Sequence, residues 1–217
     1  MSRSLPTGTE NFPPGWECFD HYVSHVGARS LGFAVDGGGV NRFAARYRAA
    51  KSFNRAEFDH LSAPTRDGYS TLIRLLLTYS AFEHFLRCIG TEIRHTSTLL
   101  TESERDTALG RLRALNGSQE FFSAVRSHLD QRNYTRQFDE FLAGNTCNLF
   151  YLAGGVRHAF AHGQLTASPA TCPPESVATC SRFLVNLLVR IMDREFKRRM
   201  DEFEEAIAPP PGPDYDE

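Results

Sequence analysis

The stretch RDGYSTLIRLLLTYSAFEHFLRCIGTEIRH, residues 66–95, decides the fold class. Leu72, Leu75, Leu76, Tyr79, Phe82, Leu86, Ile89 and Ile93 recur at steps of three and four. That spacing puts them in one stripe on one face of a helix. No proline interrupts it. The pattern predicts a helix from about Arg66 to His95, long enough to be a main element of a bundle.

Working outward, the downstream chain repeats the helical signature in shorter pieces. Thr101 with Glu104 reads as a capping box opening a helix that runs to Leu115 and stops at Asn116-Gly117. Ser118–Leu129 and Thr135–Leu142 read as two further short helices. Asn145 is placed to cap the next one, whose apolar stripe is Leu149, Leu152, Ala153, Val156 and Phe160, and Gly163 stops it. Pro173-Pro174 announces a long final helix with Val177, Cys180, Leu184, Leu187, Leu188 and Ile191 on its inner face. Upstream, Pro13-Pro14 and Gly37-Gly38-Gly39 read as breakers, although Phe12, Trp16, Phe19, Tyr22 and Phe33 are too aromatic for a solvated tail. No segment alternates convincingly like a strand. The expected fold is therefore all-α: an antiparallel helical bundle with shorter inserted helices. An irregular N-terminal arm at 1–53, with room for one short helix or hairpin, packs on a body at 54–206, and a proline-rich acidic tail follows at 207–217.

Composition narrows the function. The 217 residues are 41% hydrophobic and 23% charged, a globular balance. Net charge is −2, so nucleic acid is not held by bulk electrostatics, and any RNA contact is local. Nothing approaches a membrane span or the apolar core of a signal peptide. The five cysteines, 18, 88, 147, 172 and 180, are odd in number and contain no C-x-x-C pair. They predict free thiols in a reducing, cytoplasmic setting.

The chemistry concentrates in Val156-Arg157-His158-Ala159-Phe160-Ala161-His162-Gly163. Arginine's planar fork holds a phosphate and its developing charge. Histidine moves protons near neutral pH. Together they serve phosphodiester cleavage of RNA, which brings its own 2′-hydroxyl nucleophile. On a regular helix, five residues rotate about 500°, leaving Arg157 and His162 about 140° apart. They converge on one phosphate only if the helix ends between them, which Gly163 permits, or if two chains face each other. The adjacent Gly154 and Gly155 allow a close backbone approach for such a homodimer. Glu83 lies at or beside the apolar stripe of the long helix, where a carboxylate needs a partner. Arg87, one turn on, and Arg157, across the bundle, are the candidates. His158 and His162, at i and i+4, also match the way a helix offers two zinc ligands, but no third ligand is spaced to join them. The cations Arg182, Arg190, Arg194, Lys197, Arg198 and Arg199 are interleaved with acids and read as a solvated face.

The string Arg157-His158-Ala-Phe-Ala-His162, in a helical bundle after a helix carrying Glu83, resembles the signature of the HEPN superfamily over roughly residues 65–200. The resemblance implies a metal-independent endoribonuclease with no cofactor, acting as a homodimer on RNA and leaving 2′,3′-cyclic phosphate ends. It places such a protein among toxins, phage-defence effectors and RNA-processing enzymes, with an antitoxin or regulatory protein as a further partner. By the same resemblance His162 is the acid–base residue, Arg157 the phosphate binder, His158 the auxiliary polar residue and Glu83 the orienting carboxylate. The alternative is a HEPN-like module that binds a nucleotide or a protein in the same groove without cutting.

Overall fold

A computed structural model describes residues 11–208. Among these residues every regular element is helical: α1 (Trp16–Ser30), α2 (Gly37–Ser52), α3 (Ala63–Cys88), a 3-10 helix (Ile93–Leu99), α4 (Glu102–Arg113), α5 (Ser118–Arg126), α6 (Arg132–Leu142), α7 (Leu149–Ala161) and α8 (Pro174–Ile207). The fold is an all-α bundle, as expected. The acidic proline-rich stretch after Ala208 and the first ten residues lie outside the described residues.

The long helix, α3, forms from its cap inward. The Ser62 hydroxyl accepts the Thr65 amide at 3.3 Å, and Pro64 sits in the first turn, where its missing N–H costs nothing. Leu72, Leu75, Tyr79, Phe82 and Leu86 are buried, while Leu76 and Ile89 are only half-buried. The helix ends at Cys88 rather than His95, because Gly90 turns left-handed at φ +69° and the next residues tighten into the 3-10 helix.

α2, α7 and α8 pack around α3. The start of α2 meets the end of α3, where His84 Nε2 lies 3.2 Å from the Gly39 carbonyl. On α7, Phe150 stacks on Phe82 while Phe160 lies near Tyr69. These two helices are antiparallel to α3. α8 is not: Arg182 reaches Asp67 near the start of α3, whereas its later turns, with Phe196, meet Phe43 and Phe33 by the far end. α3 and α8 run parallel, and α7, antiparallel to α3, carries the chain back between them.

The expected irregular arm is the main correction. Residues 16–52 form α1 and α2, the former kinked at Gly27. Pro13 and Pro14 precede α1, and the three glycines occupy the first turn of α2, where the Asp36 carboxylate accepts the Gly39 amide at 2.7 Å. Breakers at a helix start do not break it. The aromatics enter the common core: Trp16, Phe19, Phe33 and Phe43 surround Phe196 of α8 with ring centroids 5.2–6.1 Å away. The Thr101–Glu104 capping box is formed. The cap of α7 is Asn148, not Asn145; Asn145 instead bonds Glu140.

Candidate functional site at the end of α7

α7 is positioned by burial at its start and released at its end. Leu149, Leu152, Ala153 and Val156 are fully buried. Gly154 and Gly155 bring the helix against α3 and α6: a Cβ at Gly154 would lie 2.5 Å from the Tyr79 hydroxyl and 2.9 Å from the Tyr134 ring, and one at Gly155 would strike Phe138. The close approach expected of these glycines is thus made within the chain. It is not an argument for contact between two copies. At the other end Gly163 adopts φ +71°, and its amide donates to the Phe160 carbonyl while that of Gln164 donates to Ala159. This is a Schellman closure, and it leaves His162 exposed as the last half-helical residue.

Glu83 and Arg157 meet here. Arg157 Nη2 lies 3.4 Å from Glu83 Oε2, with the two side chains 33% and 42% exposed. Arg87, the nearer candidate in sequence, is not the partner. The guanidinium also stands over the Tyr79 ring, 5.8 Å from its centroid, and its Nε is buried with no hydrogen-bond partner. One edge of Arg157 is therefore held by protein and its bonding capacity is incompletely used. Beneath it Tyr79 is buried, with its hydroxyl set against that of Tyr134; burial holds the Tyr79 phenol neutral far above its ordinary range, and Tyr134 and Glu83 push the same way.

The two histidines meet each other. Their ring centroids are 4.3 Å apart at 50°, and the Tyr134 ring is stacked on His158 at 6.1 Å. Burial lowers the His158 pKa, His162 and Arg157 lower it further, and Asp130 only partly opposes them. The structure therefore brings Glu83 to Arg157 and His158 to His162, the two pairs joined by the Arg157–His158 peptide. It records no hydrogen bond between His162 and Arg157, in keeping with their rotational divergence. Among the described residues no three His, Cys, Asp or Glu side chains gather as a metal cage. No described helix is long and apolar enough to cross a membrane, and all five cysteines are free thiols.

Sequence reasoning took Tyr79 as core and passed over Tyr134. The signal for Tyr79 was present, since it lies one turn before Glu83 on the same face. Tyr134 needed the tertiary fold. Comparison with known proteins gives no match: no family model, no curated protein and no solved structure is significantly similar to the chain.

Proposed function

We propose that this chain is a metal-independent endoribonuclease in which Arg157 holds the scissile phosphate and His162 transfers the proton. The observation that carries the reading is the partly exposed Glu83–Arg157 pair, whose arginine lies five residues before an exposed histidine on a glycine-closed helix end. The carboxylate orients Nη2, the side chain stays one-third exposed, and a phosphate is taken by the terminal nitrogens. His162 abstracts the 2′-hydroxyl proton or protonates the departing 5′-oxygen, giving 2′,3′-cyclic phosphate and 5′-hydroxyl ends. His158, kept neutral by its surroundings, packs against the His162 ring and fixes its position. A second copy facing the first supplies the second histidine, so that one acts as base and the other as acid. Such an activity suits a toxin or defence effector held in check by a partner.

The test is cleavage of a mixed RNA in EDTA by the wild-type chain and by His162→Ala, with the product ends identified. Loss of cutting in EDTA, or 3′-hydroxyl products, removes the metal-free mechanism. One observation favours the second reading, a non-cleaving module. Arg157 is already paired, and two of the larger hollows among the described residues lie elsewhere: one of about 410 Å³ between α4 and α8 near Arg111, Phe183 and Arg190, and one of about 450 Å³ between the start of α1 and the last turns of α8. A well-folded chain that cuts no RNA is that module.

A further inference from the structure

α2 carries four cations, Arg42, Arg46, Arg48 and Lys51, and no acid over its whole length, in a chain whose net charge is −2. Three of the four make contacts: Arg48 lies over the Phe12 ring at 4.4 Å, Lys51 approaches Asp193 at 3.8 Å, and one terminal nitrogen of Arg46 donates to the Arg42 carbonyl at 3.2 Å, which leaves its charge uncompensated. Arg42 and Arg46 are exposed one turn apart, and among the described residues neither makes an ion pair. Across the α2–α3 seam stands Arg87, also exposed and also without an acidic partner among those residues. The acids nearest in the chain are committed elsewhere: Asp36 caps α2, Glu83 takes Arg157, and Glu92 takes Arg94 at 2.8 Å. His84 sits amid the three arginines. Its ring nitrogen meets the Gly39 carbonyl across the seam at 3.2 Å, and its pKa is lowered first by burial, opposed by that bond, and further lowered by Arg46, Arg87 and Arg42.

The position of this cluster gives it meaning. Glu83, His84 and Arg87 are successive members of one edge of α3, with α2 on one flank and α7 on the other. A line from Arg42 and Arg46 through Arg87 therefore leads to Arg157. The exposed side of α2 that carries Arg42 and Arg46 also carries the small residues Gly38, Ala45 and Ala49. The large exposed hydrophobics of the described residues, Val26, Leu61 and Ile207, lie on other segments, so the face lacks the apolar anchors that a protein partner or a membrane surface uses. Arginine forks without an acidic partner, set among small residues, match successive phosphates of a flexible strand.

We propose that Arg42, Arg46 and Arg87 form a track that binds the phosphate backbone of single-stranded RNA and leads it to Arg157. The proposal rests on the ribonuclease reading for the purpose of the track, but its test is binding rather than cleavage. The probe is a labelled 2′-O-methyl RNA of about 12 nucleotides, within the usual footprint of a single-strand site and unable to use its 2′-oxygens as nucleophiles. Binding to the full chain is followed over a range of salt. Replacing all three residues with glutamine (R42Q, R46Q, R87Q) lowers affinity at least about tenfold and reduces the slope of log K against log salt by about 2, at about 0.7 for each phosphate contact on a single strand. Lysine at the same three positions keeps the slope, and Arg111→Gln with Arg190→Gln, on the α4–α8 groove, changes neither quantity. All these side chains are exposed, and matching circular dichroism melts establish that the variants fold.

The track is overturned if the glutamine variant binds like the wild type, or if the Arg111 and Arg190 variant loses as much. It is equally overturned if the wild type binds no RNA, or if polyaspartate displaces the RNA as well as unlabelled RNA does, which assigns the face to an acidic protein. Parallel cleavage assays separate the two readings. Track-dependent binding with no cleavage keeps the track and removes the ribonuclease. Cleavage whose KM ignores the three arginines does the reverse.

Discussion

Two clusters of charge lie in this bundle, and they are built in opposite ways. On α8, Glu195 is 8% exposed and fully engaged: Arg198 and Arg199 reach one carboxylate oxygen at 3.1 and 3.2 Å, and Arg194 approaches the other at 3.5 Å. Beside it the Tyr47 hydroxyl donates to Asp193, tying α2 to α8. At the end of α7, by contrast, one carboxylate meets one guanidinium at 3.4 Å, both partly in water, with a buried Nε unpartnered. The first cluster has more cations than its carboxylate can use and little solvent. The second has bonding capacity left over and solvent beside it. Buried, saturated charge holds elements in register, and open, unsaturated charge is where a ligand has something to gain.

The sharpest division between them is in what a mutation costs. On the ribonuclease proposal, His162→Ala is expected to lower RNA cleavage by about 10²- to 10⁴-fold, the usual worth of a general acid or base. Its melting temperature should stay within a degree or two, because the ring is exposed and the helix end is closed by backbone bonds. A comparable fall in melting temperature would make His162 a structural cap and break the contrast.

Next in size is the pair Glu195→Gln and Glu83→Gln, the same chemical change in the two clusters. Removing a buried charge that serves several arginines costs about 3–5 kcal/mol in dry surroundings. Arg194 and Arg198 are 40% and 48% exposed, so about 2–3 kcal/mol is expected for Glu195. The Glu83–Arg157 pair, open to solvent, should contribute at most about 1 kcal/mol. Urea unfolding of both variants measures the difference; equal losses would mean that the α7 site is a structural ion pair like the other.

The two regions also differ in how far the sequence discloses them. The stripe on α3, the capping box at Thr101 and the glycine stop at Gly163 are local signals, and each is formed. The carboxylate at Glu83 asks for a partner by its place beside an apolar stripe, and Arg157 is that partner. The failures are where a local signal has two meanings. Gly37-Gly38-Gly39 disrupts a helix interior but is tolerated in a first turn that Asp36 caps. Asn145 and Asn148 are both good caps, and the choice falls to Asn148, whose side chain is also bonded to Thr96 and whose amide donates to Gln137. The parallel run of α3 and α8 and the placing of Tyr134 are properties of packing between segments remote in sequence, which periodicity does not reach. Gly155 belongs with these: read as room for a second chain, it is occupied by Phe138 of the same chain. Gly155→Ala should therefore cost about 1–3 kcal/mol of stability by overpacking, measured by denaturant titration. A neutral outcome would return the glycine to the role of an intermolecular contact.

The smallest expected effect lies inside the closed cluster and tests whether saturation, not charge itself, is what stabilises it. Asp193 is largely buried, and burial raises its pKa above the ordinary value of 3.8, with Tyr47 and Lys51 only partly countering. A folded-state pKa above the unfolded one means that the folded chain holds the proton more tightly. Its contribution to stability is present below the unfolded pKa and lost as pH rises through the folded one. At neutral pH the Asp193 charge is thus a net cost, whereas the Tyr47 phenol, whose pKa is also raised by burial, stays protonated and donates. Asparagine keeps an acceptor for that hydroxyl and removes the charge, forgoing only the 3.8 Å approach of Lys51. Asp193→Asn should accordingly be neutral or slightly stabilising at pH 7, within about 1 kcal/mol, and should flatten the decline in stability that the wild type owes to this group as pH rises from the ordinary value of 3.8 through the raised folded one. Melts of both proteins between pH 4 and pH 8 decide it. A loss of several kcal/mol at pH 7 would show that the carboxylate's charge is itself needed there, and the distinction between the two clusters would then rest on Glu195 alone.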